Sequence, residues 1–248
     1  MWGSSPSRSR CRAPTGGQGP AKLFTALDPD GLGPHRFQHP RLLATTNVGG
    51  FDFIPAQQTR SIDAEVNLVW DYTNRFSGAG RIYVVWTSEF PQESSDTDLM
   101  FQHSDDAGLT WSPALRLNTD AGTNSQFMPA IAIDRSTGWV GVSWYDCRND
   151  LGFGGSGDTD GVPNDDAQFW MTYTTNHGAS FGPNRQVSRG TSNAADAKNR
   201  LDYGDFTLAS FVDGTFWAVW SDNSNSTGDN PDGTLQALDI YVAPIRVG

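Results

Sequence analysis

Apolar residues fall in short runs along this chain, and the runs recur in groups. In each group a first run ends in an aspartate and a second carries a tryptophan, and in two of the groups a third leads into a glycine-containing turn. The tryptophan runs are RIYVVWTSE, WVGVSWYDCR and FWAVWSDN, which contain Trp86, Trp144 and Trp220. Short runs of alternating or continuous apolar residues, bounded by turn residues, predict β-strands rather than helices.

The turn after the third run has a recurring sequence of its own. It reads SDDAGLTW at 104–111 and TTNHGASF at 174–181, and TTNVGGF at 45–51 is a weaker copy. The aspartate or asparagine at its third position can accept hydrogen bonds from backbone amides of the same turn, while glycine supplies a positive φ. Repetition of one turn chemistry between strand-like runs favours a repeated four-stranded unit.

Four short antiparallel strands, repeated about every 60 to 70 residues, predict β-propeller blades rather than a sandwich. We therefore expect an all-β propeller over 36–248, built from a partial blade at 38–60 and blades at 61–122, 123–192 and 200–248. Three to four blades are fewer than the six expected in a ring of this kind, so further blades N-terminal to this chain are expected. Closure as a four-bladed ring is the alternative.

Residues 1–35 are rich in Gly, Pro, Ser and Arg and carry no period, so we expect them to be disordered or not native. The formal net charge of −11 argues against a nucleic-acid partner, because phosphate binding needs clustered Lys and Arg. No apolar run reaches the roughly 20 residues of a membrane span. An extracellular or cell-surface protein is expected, although no signal peptide is visible.

SDDAGLTW at 104–111 resembles the Asp box of the sialidase superfamily, and TTNHGASF and TTNVGGF look like degenerate copies. The resemblance covers 38–248. For an exo-sialidase it implies three arginines, a tyrosine nucleophile paired with a glutamate, and an aspartate acid/base. The Arg-Ile-Pro motif of that family is matched only by FIP at 53–55, with phenylalanine in place of arginine.

The resemblance leaves two functions open. One is a glycan-processing propeller, an exo-glycosidase acting on sialosides or related sugars. The other is a non-catalytic carbohydrate- or protein-binding module. Such a module could also be stabilised by calcium. The Asp box is typical of both, since it marks the architecture rather than an activity.

Blade topology places the loops between second and third strands on the face opposite the Asp-box turns. Counting back eight residues from the equivalent aspartates predicts that Asp63, Gln126 and Asp205 converge where the innermost strands begin. We expect a glycan site there, with paired carboxylates beside a tyrosine as glycoside cleavage requires. The predicted catalytic residues are Asp63, Glu65, Tyr203 and Asp205, and the predicted substrate-binding residues are Arg60, Gln126, Asp146, Arg148 and Asp222. Alternatively, Asp63 and Asp205 only cap strand ends.

The longest loop on that face is acidic. Asp158, Asp160, Asp165 and Asp166 offer hard oxygen ligands within nine residues, which would suit calcium. Asp229, Asn230 and Asp232 form a second such group. A flexible acidic loop without metal is the alternative, and no cofactor is expected to be required for activity.

Overall fold

In the computed structural model of the chain, the regular secondary structure is almost entirely β-strand over the described residues. The structure describes residues 19–73, 80–91, 94–197, 201–205, 207–224 and 238–248. In these ranges the strands pair antiparallel, and the helical structure is a four-residue 3₁₀ turn at Ala194–Ala197. No helix in the described part of the chain is long and apolar enough to cross a membrane. The predicted all-β class is confirmed.

Two small sheets open the described chain. Strand β1 (Ala21–Thr25) pairs with β2 (Arg41–Thr46), and β3 (Asp52–Ile54) pairs with β4 (Gln57–Ile62). Strand β1 lies inside the range 1–35 that composition placed outside the fold, so that boundary is corrected for the residues from Ala21 onward. The five residues of β1 are too few to show a period among their Gly- and Pro-rich neighbours.

Two complete four-stranded sheets follow, and in each the spatial order of the strands is the order of the chain. The first contains β5 (Asn67–Asp71), β6 (Arg81–Glu89), β7 (Thr97–Ser104) and β8 (Leu115–Arg116). The second contains β9 (Gln126–Asp134), β10 (Trp139–Asp146), β11 (Asp166–Thr174) and β12 (Arg185–Gln186), and β13 (Ser192–Asn193) pairs with the start of β11. This meander is the architecture of propeller blades.

A last sheet contains β14 (Leu208–Val212), β15 (Thr215–Asp222) and β16 (Asp239–Arg246), paired in that order. The first strand of the second blade, β9, contacts the first strands of both neighbouring sheets, β5 and β14. The first strands of three successive sheets therefore lie side by side, as innermost blade strands do. Their beginnings form one face, on which the predicted glycan site was placed.

The hydrophobic cores lie between neighbouring blades. Trp144 is fully buried against Tyr83 and Phe101 of the preceding blade, and Phe169 stacks on Trp220 of the next with ring centroids 4.9 Å apart. Gly141 makes the second interface possible, because its backbone lies directly against the Phe216 ring. The tryptophans of the repeated runs are therefore blade core, not sugar-stacking platforms.

The turns at 104–111 and 174–181 share one hydrogen-bonding arrangement. In the first, the Ser104 hydroxyl donates to Asp106 at 2.8 Å and accepts from the Gly108 amide at 2.9 Å. In the second, Thr174 bonds Asn176 at 2.8 Å and Gly178 at 3.1 Å in the same way. Each turn closes the link between the third and fourth strands of its blade.

The third predicted copy, at 45–51, is not such a turn. The Thr46 hydroxyl donates to the Thr87 carbonyl, and the Asn47 side chain donates to the Glu89 carbonyl, at the other end of the blade. The true turns place Ala107 and His177 at φ of 59° and 60°. Val48 stands at the equivalent position, and a β-branched residue strongly disfavours that left-handed conformation.

Candidate active site

A polar cleft of about 480 Å³ opens where the innermost strands begin. Four of the predicted site residues line it, namely Arg60, Asp63, Glu65 and Asp205. Arg60 belongs to β4, Asp63 and Glu65 connect β4 to β5, and Asp205 precedes β14. The cleft therefore gathers side chains from segments as far as 145 residues apart in sequence, on the face opposite the repeated turns.

Arg60 and Asp205 form a bidentate ion pair across the cleft, in which Nε and Nη2 donate to the two carboxylate oxygens. The hydrogen bond to Asp205 raises the pKa of Arg60. Asp202 fixes the backbone beneath, because its carboxylate accepts from the amides of Thr59 and Arg60 at 2.7 and 2.8 Å. The Arg60 and Asp205 side chains remain 43% and 39% exposed, so a ligand can reach both.

Glu65 is the most perturbed carboxyl group of the cleft. Its Oε2 accepts from the Met128 amide at 2.6 Å and from the Thr87 hydroxyl at 3.4 Å. Burial raises the pKa of Glu65 well above its ordinary value, and the negative charge of Asp63 raises it further, while the bonds from Met128 and Thr87 oppose the shift. A carboxyl group in this environment tends to keep its proton and can act as an acid.

Asp63 is the exposed partner of Glu65. Its Oδ1 accepts the Glu65 amide at 2.6 Å, which helps to hold Glu65 in a left-handed conformation with φ of 46°. This bond is the strand-end cap that the alternative interpretation predicted for Asp63. The Asp205 carboxylate instead forms an ion pair with Arg60, so the two aspartates are held by different interactions.

The second blade contributes Met128 and Pro129 to the cleft, which the sequence analysis did not identify. The pairing of β9 with β10 shifts between Ala130 and Phe127, and Met128 in that irregularity has φ of 52°. The shift brings the Met128 amide to Glu65. Pro129 inside a strand pattern is the sequence signal of such an irregularity.

Tyr203 does not line the cleft, contrary to its predicted catalytic role. It is 3% exposed, its hydroxyl donates to the Ser192 carbonyl at 2.6 Å, and its ring stacks on Tyr145 with centroids 4.3 Å apart. Burial raises its pKa well above the ordinary value. Tyr203 is an aromatic core residue in the position where a nucleophile was expected.

Gln126, Asp146 and Arg148 do not line the cleft either. They form a buried network where β9 begins and β10 ends. Asp146 accepts from the Trp144 indole at 2.7 Å, from Arg148 Nη2 at 2.6 Å and from Gln126 Nε2 at 3.2 Å. The Arg148 guanidinium stacks over Trp170 at 4.2 Å from the ring centroid. The predicted substrate-binding role of these three residues is corrected to a structural one.

Asp222 repeats the same local motif in the last blade. Its carboxylate accepts from the Trp220 indole at 3.1 Å and from the Ser224 amide at 2.6 Å, and the residue is buried. In both blades, the aspartate two residues after a tryptophan accepts a hydrogen bond from the indole of that tryptophan. The spacing of this Trp-x-Asp motif can be seen in the sequence. The burial of Asp222 argues against the substrate contact that was predicted for it.

The acidic loop contains two carboxylate groupings that could hold a metal ion. Asp150, Asp165 and Asp166 place ligand oxygens within 4.8 Å of one another, and Asp158, Asp160 and Asp166 do the same. Burial, together with the neighbouring carboxylates, raises the pKa of Asp165 to about 7, and burial raises that of Asp166 to about 6.

Asp158 differs from the other loop carboxylates. Its oxygens accept from the amides of Gly154, Asp160 and Gly161, and these bonds lower its pKa. Its acceptor capacity is largely used within the loop, whereas Asp150, which the sequence analysis did not select, lies in the other grouping. Asp229, Asn230 and Asp232 lie outside the described residues.

Comparison with solved structures finds likeness to glycosidases of the β-propeller fold. A Hadza microbial sialidase is 15% identical, with a TM-score of 0.44 over 84% of this chain and 45% of the sialidase. A Penicillium chrysogenum α-L-arabinanase is 11% identical, with a TM-score of 0.47 over 92% and 68%. An α-L-arabinofuranosidase from Fusarium graminearum is 12% identical, with a TM-score of 0.47 over 83% and 50%.

This likeness is one of fold. The chain matches no protein-family model and no curated protein sequence. It spans about half the length of the sialidase that it matches. The four-stranded meander sheets of the chain itself have the blade architecture that the turn sequence indicated, and the chemistry of the site has to be argued from its own residues.

Proposed function

We propose that this chain is a glycan-processing propeller in which the cleft between Arg60 and Glu65 binds a sugar and cleaves its glycosidic bond. The observation that carries the proposal is the Glu65 carboxyl group, which the Met128 amide holds in a cleft shared with two other carboxylates and whose pKa burial raises. Two carboxyl groups with different proton affinities are the usual equipment of glycoside hydrolysis. Tyr203 has no part in this mechanism.

Glu65 is the proton donor in the proposed reaction. It transfers its proton to the glycosidic oxygen as the bond to the sugar carbon breaks. Asp63, which is exposed beside Glu65, takes a proton from the attacking water and stabilises the positive charge that develops on the sugar. Water is thereby added across the bond. Asp63 then releases the proton it took to solvent, and Glu65 regains one from solvent. Arg60 and Asp205 orient hydroxyl groups of the bound sugar.

The charges of the cleft favour a neutral sugar over a sialoside. With Glu65 protonated, one cation, Arg60, stands against two anions, Asp63 and Asp205. The bidentate pairing with Asp205 also occupies the guanidinium edge that a sugar carboxylate would use. We therefore infer that an arabinofuranoside or a similar neutral glycoside is bound better than a sialic acid.

Hydrolysis of fluorogenic α-L-arabinofuranosides, other neutral glycosides and a sialoside tests the proposal, with Glu65→Gln and Asp213→Asn variants measured in parallel. Asp213 is exposed and remote from the cleft, with φ of 49°, which asparagine tolerates, so it controls for loss of one negative charge. Glu65→Gln should reduce kcat at least about 100-fold and leave sugar binding within a few-fold of wild type. Activity should fall at high pH as Glu65 loses its proton.

The second candidate is a non-catalytic carbohydrate-binding module, favoured by the burial of Tyr203 and the capping role of Asp63. It predicts binding to a glycan without turnover of any substrate. Loss of binding in Arg60→Ala, with no hydrolysis by folded wild type, would select this function. Hydrolysis that survives in Glu65→Gln would reject Glu65 as the proton donor.

A further inference from the structure

The loop between β10 and β11 buries three aspartates together. Asp150, Asp165 and Asp166 are 0%, 4% and 1% exposed, and each offers an oxygen within 4.8 Å of the other two. Among the described residues, no ion pair with Lys, Arg or His reaches any of the three. Buried carboxylates without a cation repel one another and are costly to fold.

Backbone amides of the loop hold these carboxylates close together despite their mutual repulsion. Asp150 Oδ2 accepts from the amides of both Asp165 and Asp166, at 2.8 and 2.9 Å, which draws the three side chains together. Asp166 accepts from the amide and hydroxyl of Thr159. Two of the three carboxylates are therefore held in place by specific hydrogen bonds rather than by chance proximity.

One oxygen of the group has no hydrogen-bond partner. Asp165 Oδ1 is buried, and no donor of the described chain satisfies it. A buried carboxylate oxygen without a partner, beside two other carboxylates, favours the binding of a cation, a proton or water. This orphaned oxygen is independent of the clustering itself and points to a ligand.

We propose that Asp150, Asp165 and Asp166 bind a calcium ion that fixes the loop to the second blade. All the ligands are oxygens, which suits a hard cation, and calcium accepts oxygens about 2.3 to 2.6 Å away in an irregular shell. Magnesium fits less well because it keeps several of its waters, and this group is closed from solvent. The ligand set differs from the predicted one, since Asp150 replaces Asp158 and Asp160.

The ion would stabilise structure rather than take part in catalysis. The loop is tied to the start of β9, because Asn164 Oδ1 accepts from the Ser125 amide at 2.7 Å and Asn124 donates to the Cys147 carbonyl at 2.8 Å. None of the three ligands lines the Arg60 cleft. The calcium proposal therefore stands or falls independently of glycoside hydrolysis.

Thermal unfolding of the full chain, in EDTA and in calcium at about 100 times the dissociation constant, tests the site. Calcium should raise Tm by about 5 to 10 °C in wild type. Asp165→Asn should unfold at a higher temperature than wild type in EDTA, because one buried charge is removed, and should lose most of the calcium response. This crossover separates a lost ligand from a variant that merely folds poorly.

Two matched variants assign the ion to one grouping. Asp160→Asn, at an exposed ligand of the alternative grouping, should change calcium affinity by no more than a few-fold, and Asp213→Asn should leave it unchanged. Calcium should also slow chymotrypsin cleavage at Phe153, which is 90% exposed in the same loop. A wild-type Tm that is unchanged by calcium would refute the site. An equal rise in Tm with magnesium at the same concentration would overturn the choice of calcium.

Discussion

Replacing Asp146 by alanine should destabilise the chain by about 3 to 4 kcal/mol, although Asp146 lies away from the proposed cleft. The carboxylate is completely buried and accepts four hydrogen bonds, from the Trp144 indole, the Gln126 amide group, and the backbone and guanidinium of Arg148. Truncation leaves all four donors without this acceptor. Breaking a buried ion pair from one side costs about 3 to 5 kcal/mol.

The estimate falls in the lower half of that range because Arg148 keeps other partners. Its Nη2 lies 3.0 Å from Asn184 Oδ1 and 3.7 Å from Asp120 Oδ1. Asp146→Asn should cost less, about 1 to 2 kcal/mol, since the amide oxygen can still accept from Trp144. The graded loss from asparagine to alanine is the signature of a hydrogen-bonding role.

Asp222→Ala is the matched control. Asp222 occupies the same position after Trp220, but the bonds it accepts come from the Trp220 indole and the Ser224 amide rather than from an arginine. Its loss should cost about 1 to 2 kcal/mol. Urea unfolding followed by tryptophan fluorescence measures both variants, with the midpoint compared at a shared m-value. An Asp146→Ala protein within 1 kcal/mol of wild type would refute this account of the network.

Three further predictions follow from single contacts. Gly141→Ala should cost about 1 to 3 kcal/mol in urea unfolding, because the new methyl group would overlap the Phe216 ring. An unchanged midpoint would contradict the blade packing. Ser104→Ala should cost about 1 to 2 kcal/mol through loss of the Gly108 bond, and Ser104→Thr, which keeps the hydroxyl, should restore most of it. Glu65→Gln should match wild type in stability near pH 4 and exceed it at pH 8. The reason is that a protein with a carboxyl group of raised pKa loses stability as the pH rises through that pKa. Parallel curves of stability against pH for the two proteins would disprove the shift.

The repeated architecture was predictable because its signals are local. A turn such as 104–111 satisfies its own hydrogen bonds within a few residues, so the same letters recur wherever the turn does. The same reasoning explains why the turn predicted at 45–51 does not form. Its sequence resembles the other turns but places Val48 at a position that requires a left-handed backbone. Composition also concealed β1 (Ala21–Thr25), which pairs with a strand about 20 residues away.

The site was predictable only where the strands are regular. Counting from equivalent aspartates located Asp63 and Asp205 in one cleft, because β5 and β14 have the same length in the structure. The same count failed for Gln126, because β9 begins earlier and carries an irregularity at Met128. Tyr203 failed for another reason, since no sequence pattern distinguishes a tyrosine that faces a cleft from one that bonds a buried carbonyl.

Two departures from regular backbone meet at the proposed site. Glu65 and Met128 are non-glycine residues with φ of 46° and 52°, and they are joined directly by the bond from the Met128 amide to the Glu65 carboxyl group. Neither side chain favours this conformation, so the surrounding structure must hold it. That bond links two blades, and it also stabilises the charged form of Glu65. Blade packing therefore sets both the position and the proton affinity of the group proposed to donate the proton, which ties the chemistry of the cleft to the assembly of the propeller.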